Sequence, residues 1–327
     1  MQTSASVTCT NPPLPRMVGL LMELEDLKRQ QPAGFEHSIA TTLFQESWQR
    51  WLRGDAPDHI ALTMTTKALV AILLPGVGAD FFRQTKLQSE AEGILQSALQ
   101  KIAQHRLPEP LYQQLAATIP GIVADYQQPI DESMPQFVKV LSKQPRAGAT
   151  KPGKPRILLL PPEMHSDHSL MTAVFAVLLS PYYEAAPGQP FLTELAHHLH
   201  NAVLPDCGFG GEVLLDPWLD EIIQTGRKQA LAEVPIIAEQ VLQSIAVHED
   251  LSLPAGRAAS AADVLDRVLD VQWRTRILKI TNEDILSELE LVHAGPIKQF
   301  QTELLSQAGV WPLHVVTEPS NEPVQSA

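Results

Sequence analysis

Apolar residues recur every three or four positions along most of the chain, the spacing of amphipathic helices. VGLLMELEDLKR, within Met17 to Arg29, predicts a first helix, and QQPAG at 30–34 breaks it. From Phe35 to Leu52, the residues Phe35, Ile39, Leu43, Phe44, Trp48, Trp51 and Leu52 line one face. His59 to Leu74 is apolar on all sides, which predicts a more deeply buried helix ending at Pro75-Gly76. Ser89–Gln104 and Glu109–Ile119 follow the same period. SLMTAVFAVLL, after His168, predicts another buried helix. Trp218–Ala232 and Val234–His248 form a helical pair, and Leu251–Ser260 reads as a loop. Ala261–Ile280 predicts a strong helix with Val264, Leu265, Val268, Leu269 and Val271 inward. Asn282–Ala308 holds two more patterns, split at Gly295-Pro296. No segment alternates as a strand would, so the expected class is an all-α bundle.

Two features organise these helices. EHSIATTLF at 36–44 resembles DHSLMTAVF at 167–175, and LPGVG at 74–78 aligns with LPDCG at 204–208 at nearly the same offset. That predicts an internal duplication of domain size. SKQPRAGATKPGKPR at 142–156 has five basic residues, no acid and no apolar period, and reads as a linker. Residues 1–146 and 147–327 are therefore expected as two domains.

Composition narrows the function. The chain has 327 residues, 44% of them hydrophobic, enough for a full core. A net charge of −13, from 37 acidic and 24 basic residues, argues against a nucleic-acid partner. Cys9 and Cys207 provide neither a disulfide framework nor a four-thiolate zinc site, which fits a reducing compartment. The N-terminus lacks the basic and apolar regions of a signal peptide, and the longest apolar run, Ala68 to Val77, is half a membrane span. The expectation is a cytoplasmic protein with no membrane partner and an undetermined oligomeric state.

The chemistry is concentrated in FLTELAHHLHNAVLPDCGFGGE, 191–212. His197 and His200 are three apart and share a helical face, a spacing at which two imidazoles can hold one metal. Further ligands would come from His168 or His165 on the preceding helix and from Asp263 or Asp266 on the later one. Neutral imidazoles with a carboxylate suit a divalent Zn, Mn or Fe ion. His248 and His293 look isolated, and Asp263, Asp266 and Asp270 fall outside the apolar stripe, as on a solvated face. Gly208-Phe-Gly-Gly211 lacks the Lys-Ser/Thr of a phosphate loop, no GxSxG elbow occurs, and the HxxH at 197–200 is not HExxH.

These residues resemble the HD-domain superfamily of helical metal-dependent phosphohydrolases. DHSLMTAVFAVLL resembles its first helix with His168 as ligand. LAHHLHNA resembles its LLHDxGxA segment through His197, and AADVLDRVL its late helix through Asp263. The resemblance implies two HD-like bundles in tandem, the first degenerate. It implies a metal on His168, His197, His198 and Asp263. His198 stands where the family has an aspartate; an imidazole cannot bridge two metals, so two-metal chemistry is not expected. His200 and Glu212 are candidate proton carriers. Arg227, Arg274 and Arg276 are candidate phosphate contacts. The implied activity is hydrolysis of a small phosphorylated molecule such as a nucleotide. The alternatives are a non-catalytic signalling or assembly module with a protein partner, and an HD-type iron oxygenase.

Overall fold

The computed structural model describes residues 13–126, 134–148, 158–278 and 295–310. Among them the regular elements are helices, with one isolated antiparallel bridge between Pro145 and Met164. The first group is α1 (Leu14–Leu24), α2 (Ile39–Leu52), α3 (Pro57–Leu73), α4 (Ala79–Thr85) and α5 (Ala91–Ala103). Next come α6 (Glu109–Ala116), α7 (Ile119–Asp125), α8 (Gln136–Leu141), α9 (His165–Leu179) and α10 (Gly188–Ala196). The last are α11 (Gly208–Leu215), α12 (Leu219–Ala232), α13 (Ala238–Val247), α14 (Pro254–Leu278) and α15 (Lys298–Gln307). No described helix is long and apolar enough to cross a membrane.

Helix α9 is the axis. All 15 of its residues are buried, both the largely apolar run from Leu170 and the polar start, His165 to Ser169. Helices α2, α3, α10 and α14 pack around it. Polar caps fix how α2 meets it. Ser38 Oγ accepts from the Thr41 amide (2.9 Å), satisfying the start of α2, and donates to Asp167 Oδ1 (2.5 Å). Asp167 Oδ2 in turn accepts from the Met164 amide (3.0 Å) at the start of α9. Burial pushes the Asp167 carboxyl up to about 6 despite these bonds. Helices α3 and α10 meet at their first turns, where a Cβ on Gly188 would lie 2.6 Å from the Asp58 amide nitrogen. Glycine is what permits that approach.

The apolar core is continuous, running from Met17 through Phe44, Trp48 and Phe137 to Phe175, Phe191, Leu265 and Leu305. Both regions divided at residue 146 contribute to it. Of the expected linker, residues 149–156 lie outside the described residues. Residues 142–148 are anchored, with Ser142 buried and the Ala147 amide donating to Asp206 Oδ2 (2.9 Å).

Three expected boundaries shift. The first helix tightens into a 3-10 turn at Glu25–Lys28, which turns Glu25 and Lys28 inward. The loop expected over Leu251–Ser260 is largely the start of α14. Pro254 presets its first turn, and Ala258, Ala259 and Ser260 are buried small residues that give no strong period. Helix α10 stops at Ala196, so His197 caps it and His198 precedes a 3-10 turn, Leu199–Ala202.

Candidate metal centre

Three elements converge on one point. Helix α9 brings His168 from its first turn, the end of α10 brings His197 and His198, and α14 brings Asp263 and Asp266 on one face. His197 Nε2 lies 3.3 Å from His168 Nε2, and Asp263 Oδ1 lies 3.4 Å from the same atom. His168, His197 and His198 each offer a nitrogen within 4.8 Å of the others. Ligands at about 2.0–2.1 Å around a tetrahedral ion are about 3.3–3.4 Å from one another, so the observed edges have the right length.

The hydrogen bonds behind the rings set the tautomers. His168 Nδ1 donates to Asp266 Oδ2 (2.7 Å), His197 Nδ1 to the Glu194 carbonyl (2.6 Å) and His198 Nδ1 to Asn201 Oδ1 (3.0 Å). With Nδ1 holding the proton, each neutral ring presents its Nε2 lone pair. Burial, then the neighbouring His248 and His168, hold His197 well below the usual histidine range. Burial and the other histidines do the same to His198. His168 differs: burial and Arg146 oppose its charge, but Asp266 and Asp263 outweigh them and raise it.

A buried charge network lies beneath. Lys28, on the 3-10 turn after α1, reaches Glu25 Oε2 (2.9 Å), Glu163 Oε1 (2.6 Å) and Asp266 Oδ1 (2.7 Å). Its pKa rises well above normal, because these carboxylates overcome the burial that opposes its charge. Burial would raise Glu163, yet Lys28 and Arg146 hold it at about 2. Lys28 thus pulls on the same Asp266 that orients His168. Asp263 is pulled the other way by its hydrogen bond from Arg267.

His248 completes one side. Its ring stacks on His197 (4.8 Å between centres) and its Nδ1 donates to Glu194 Oε1 (2.8 Å). Burial opposes its charge, but Glu194 lifts it to about 9.

The remaining expected residues lie elsewhere. His200 is not among the converging ligands, its ring centre 6.1 Å from that of His198, and burial with Arg227 pushes it down to about 4. The shared face expected for His197 and His200 needs a helix that ends too soon. Glu212 is exposed on α11 and, among the described residues, bonds to none of the histidines. Arg227 is half-buried on α12 beside His200. Arg274 is buried, with Nε on Asp270 Oδ2 (2.8 Å) and Nη1 on the Pro161 carbonyl (2.5 Å). The side chain of Arg276, and His293, lie outside the described residues.

Two expectations are overturned. Asp263, Asp266 and Asp270 are buried, at 7%, 0% and 3% exposure, with Lys28 and Arg29, which follow α1, and His168 of α9 packed against them. His248 is not isolated. Sequence reasoning also missed Lys28, Arg146, Glu163 and Glu194. Lys28 sat at the end of a run read only as a first helix, and Arg146 in one read as a linker. No family model, curated protein or solved structure matches this chain.

Proposed function

We propose that the chain is a metal-dependent phosphohydrolase-like protein of HD type, acting on a small phosphoester such as a nucleotide. The observation that carries this reading is the convergence of His168 Nε2, His197 Nε2 and Asp263 Oδ1 at 3.3 and 3.4 Å, with both Nδ1 atoms committed to oxygen acceptors. Two imidazole lone pairs at that distance repel unless a cation or a proton lies between them. His168, His197, His198 and Asp263 would hold a Zn, Mn or Fe ion; Asp266 and the Glu194 carbonyl orient the rings. An ion held there would supply Lewis-acid polarisation of a phosphoryl oxygen and lower the pKa of a bound water. The helices α2–α6 and α9–α13 support the duplication, since each of the second set starts about 130 residues after its counterpart.

A second reading has its own support. His168 as an imidazolium between Asp263 and Asp266 is a self-sufficient buried ion pair, which suits a non-catalytic module. Elemental analysis of the purified chain, with phosphate release from nucleotides, separates the two. Bound Zn or Mn with turnover, both lost in His197→Ala, supports the hydrolase. Iron with a visible charge-transfer band points to an oxygenase, and a metal-free inert protein to the module.

A further inference from the structure

The run 142–156 hides a residue placed like a binding group. The Arg146 amide donates to the Glu163 carbonyl (2.8 Å), and the His165 amide to the Gln144 carbonyl (3.1 Å), on either side of the Pro145–Met164 bridge. These bonds lay Arg146 against the start of α9. Its charge is felt by His165, His168 and His198. Its Nη1 donates to Glu163 Oε2 (3.1 Å), but Glu163 is shared with Lys28, and the Arg146 side chain remains 21% exposed. A guanidinium has five N–H groups, and among the described residues no other side-chain hydrogen bond of Arg146 is made.

Beside it stands His165. Its side chain is 1% exposed, and neither ring nitrogen has a hydrogen-bond partner. Its ring centre is 5.1 Å from that of His198, and Asp206 Oδ2 is 3.8 Å away, beyond hydrogen-bond reach. Buried polar groups are normally paired, so an unpaired imidazole at the edge of a candidate centre calls for a partner from outside.

We propose that Arg146 and His165 form an anion subsite for the phosphoryl group of the substrate, beside the histidine–aspartate centre. A guanidinium edge matches two phosphate oxygens, and an imidazole N–H serves a third. Asp206 and Asp263 also lie near Arg146, so a bare anion meets repulsion and a divalent cation on the neighbouring ligands should favour binding. Arg274 cannot play this part, since Asp270 and Pro161 already use it. The inference rests on the hydrolase reading for its substrate, but its test does not depend on turnover.

Inorganic phosphate is titrated calorimetrically into the full chain, with and without Mn²⁺, and Mn²⁺ alone is titrated in parallel. Phosphate should bind the wild type more tightly with Mn²⁺. Arg146→Ala should weaken it at least tenfold, Arg146→Lys less, and His165→Ala severalfold. Arg227→Ala should stay within twofold, and Arg146→Ala should bind Mn²⁺ alone no more weakly than wild type. Should Arg146→Ala lose helix content, Arg146→Gln, which can still bond Glu163, carries the comparison. Phosphate affinity within twofold of wild type in the folded Arg146 variant overturns the subsite, as does a wild type that binds no phosphate in either state. If the wild type binds neither Mn²⁺ nor Zn²⁺, titrated in the same way, the hydrolase reading falls. Arg146-dependent phosphate binding to the metal-free protein would still uphold the subsite, and none would end it.

Discussion

Helices α2 and α3 pack together in the N-terminal region and α9 and α10 in the C-terminal one, yet the two junctions use charge differently. Near the end of α3, Lys67 pairs with Glu46 (2.6 Å), which also takes Arg50 (3.0 Å). Lys67 and Glu46 remain 16% and 25% exposed. At the end of α10 stand His197 and His198, and the Lys28–Asp266 pair beneath them is sealed. Lys28 and Asp266 are 1% and 0% exposed. The difference comes from what covers each junction. α14 and the Glu25–Lys28 turn lie over the second and supply Asp263, Asp266 and Lys28. Solvent reaches the Lys67–Glu46 pair, so that pair stabilises little. In the second, each charge depends on every other, because desolvation has already been incurred.

That contrast gives the largest expected effect. Lys28→Met leaves Glu25, Glu163 and Asp266 buried without their shared cation, and should cost about 3–5 kcal/mol in chemical denaturation. Lys67→Met, at the other junction, should cost about 1 kcal/mol or less. Equal losses would remove the distinction.

Packing should not distinguish the regions. Phe44 and Phe175 are both fully buried in one core, so Phe44→Ala and Phe175→Ala should each cost about 3–5 kcal/mol. A cost near zero at either site would show that its helix is not held as described.

Acid should act on the second region first. Burial, reinforced by Arg146, pushes His165 down to about 3, so the folded protein resists its protonation. A folded pKa below the unfolded value of about 6.5 gives stability that is full above about 6.5 and lost as pH falls towards 3. His165→Gln should flatten that slope in denaturation midpoints taken from pH 7 to 4. At the small end, Glu212→Gln, on an exposed helix face, should change stability by about 0.5 kcal/mol or less.

The helical class was legible because apolar period survives in most segments, and α9 was readable as buried from SLMTAVFAVLL alone. The convergence of His168, His197, His198 and Asp263 was legible from residue type and a family resemblance, for their side chains do meet. Spacing was a poorer guide, since the pairing of His197 with His200 assumed a helix that ends at Ala196. Long-range partners were illegible for a plain reason. Nothing local in ELEDLKR says that Lys28 will lie 2.7 Å from Asp266, or in SKQPR that Arg146 will border the histidines. Such positions are set by packing of distant segments, and periodicity reports only local exposure.

The most direct test of the central claim is the metal stoichiometry of wild type against His197→Ala, by equilibrium titration with Mn²⁺ or Zn²⁺ followed by elemental analysis. One ion per chain in the wild type and none in a His197→Ala protein of unchanged helix content is the predicted result. A wild type that takes up no ion, or a His197→Ala variant that binds it as tightly, would contradict the assignment of His168, His197, His198 and Asp263 as one metal centre.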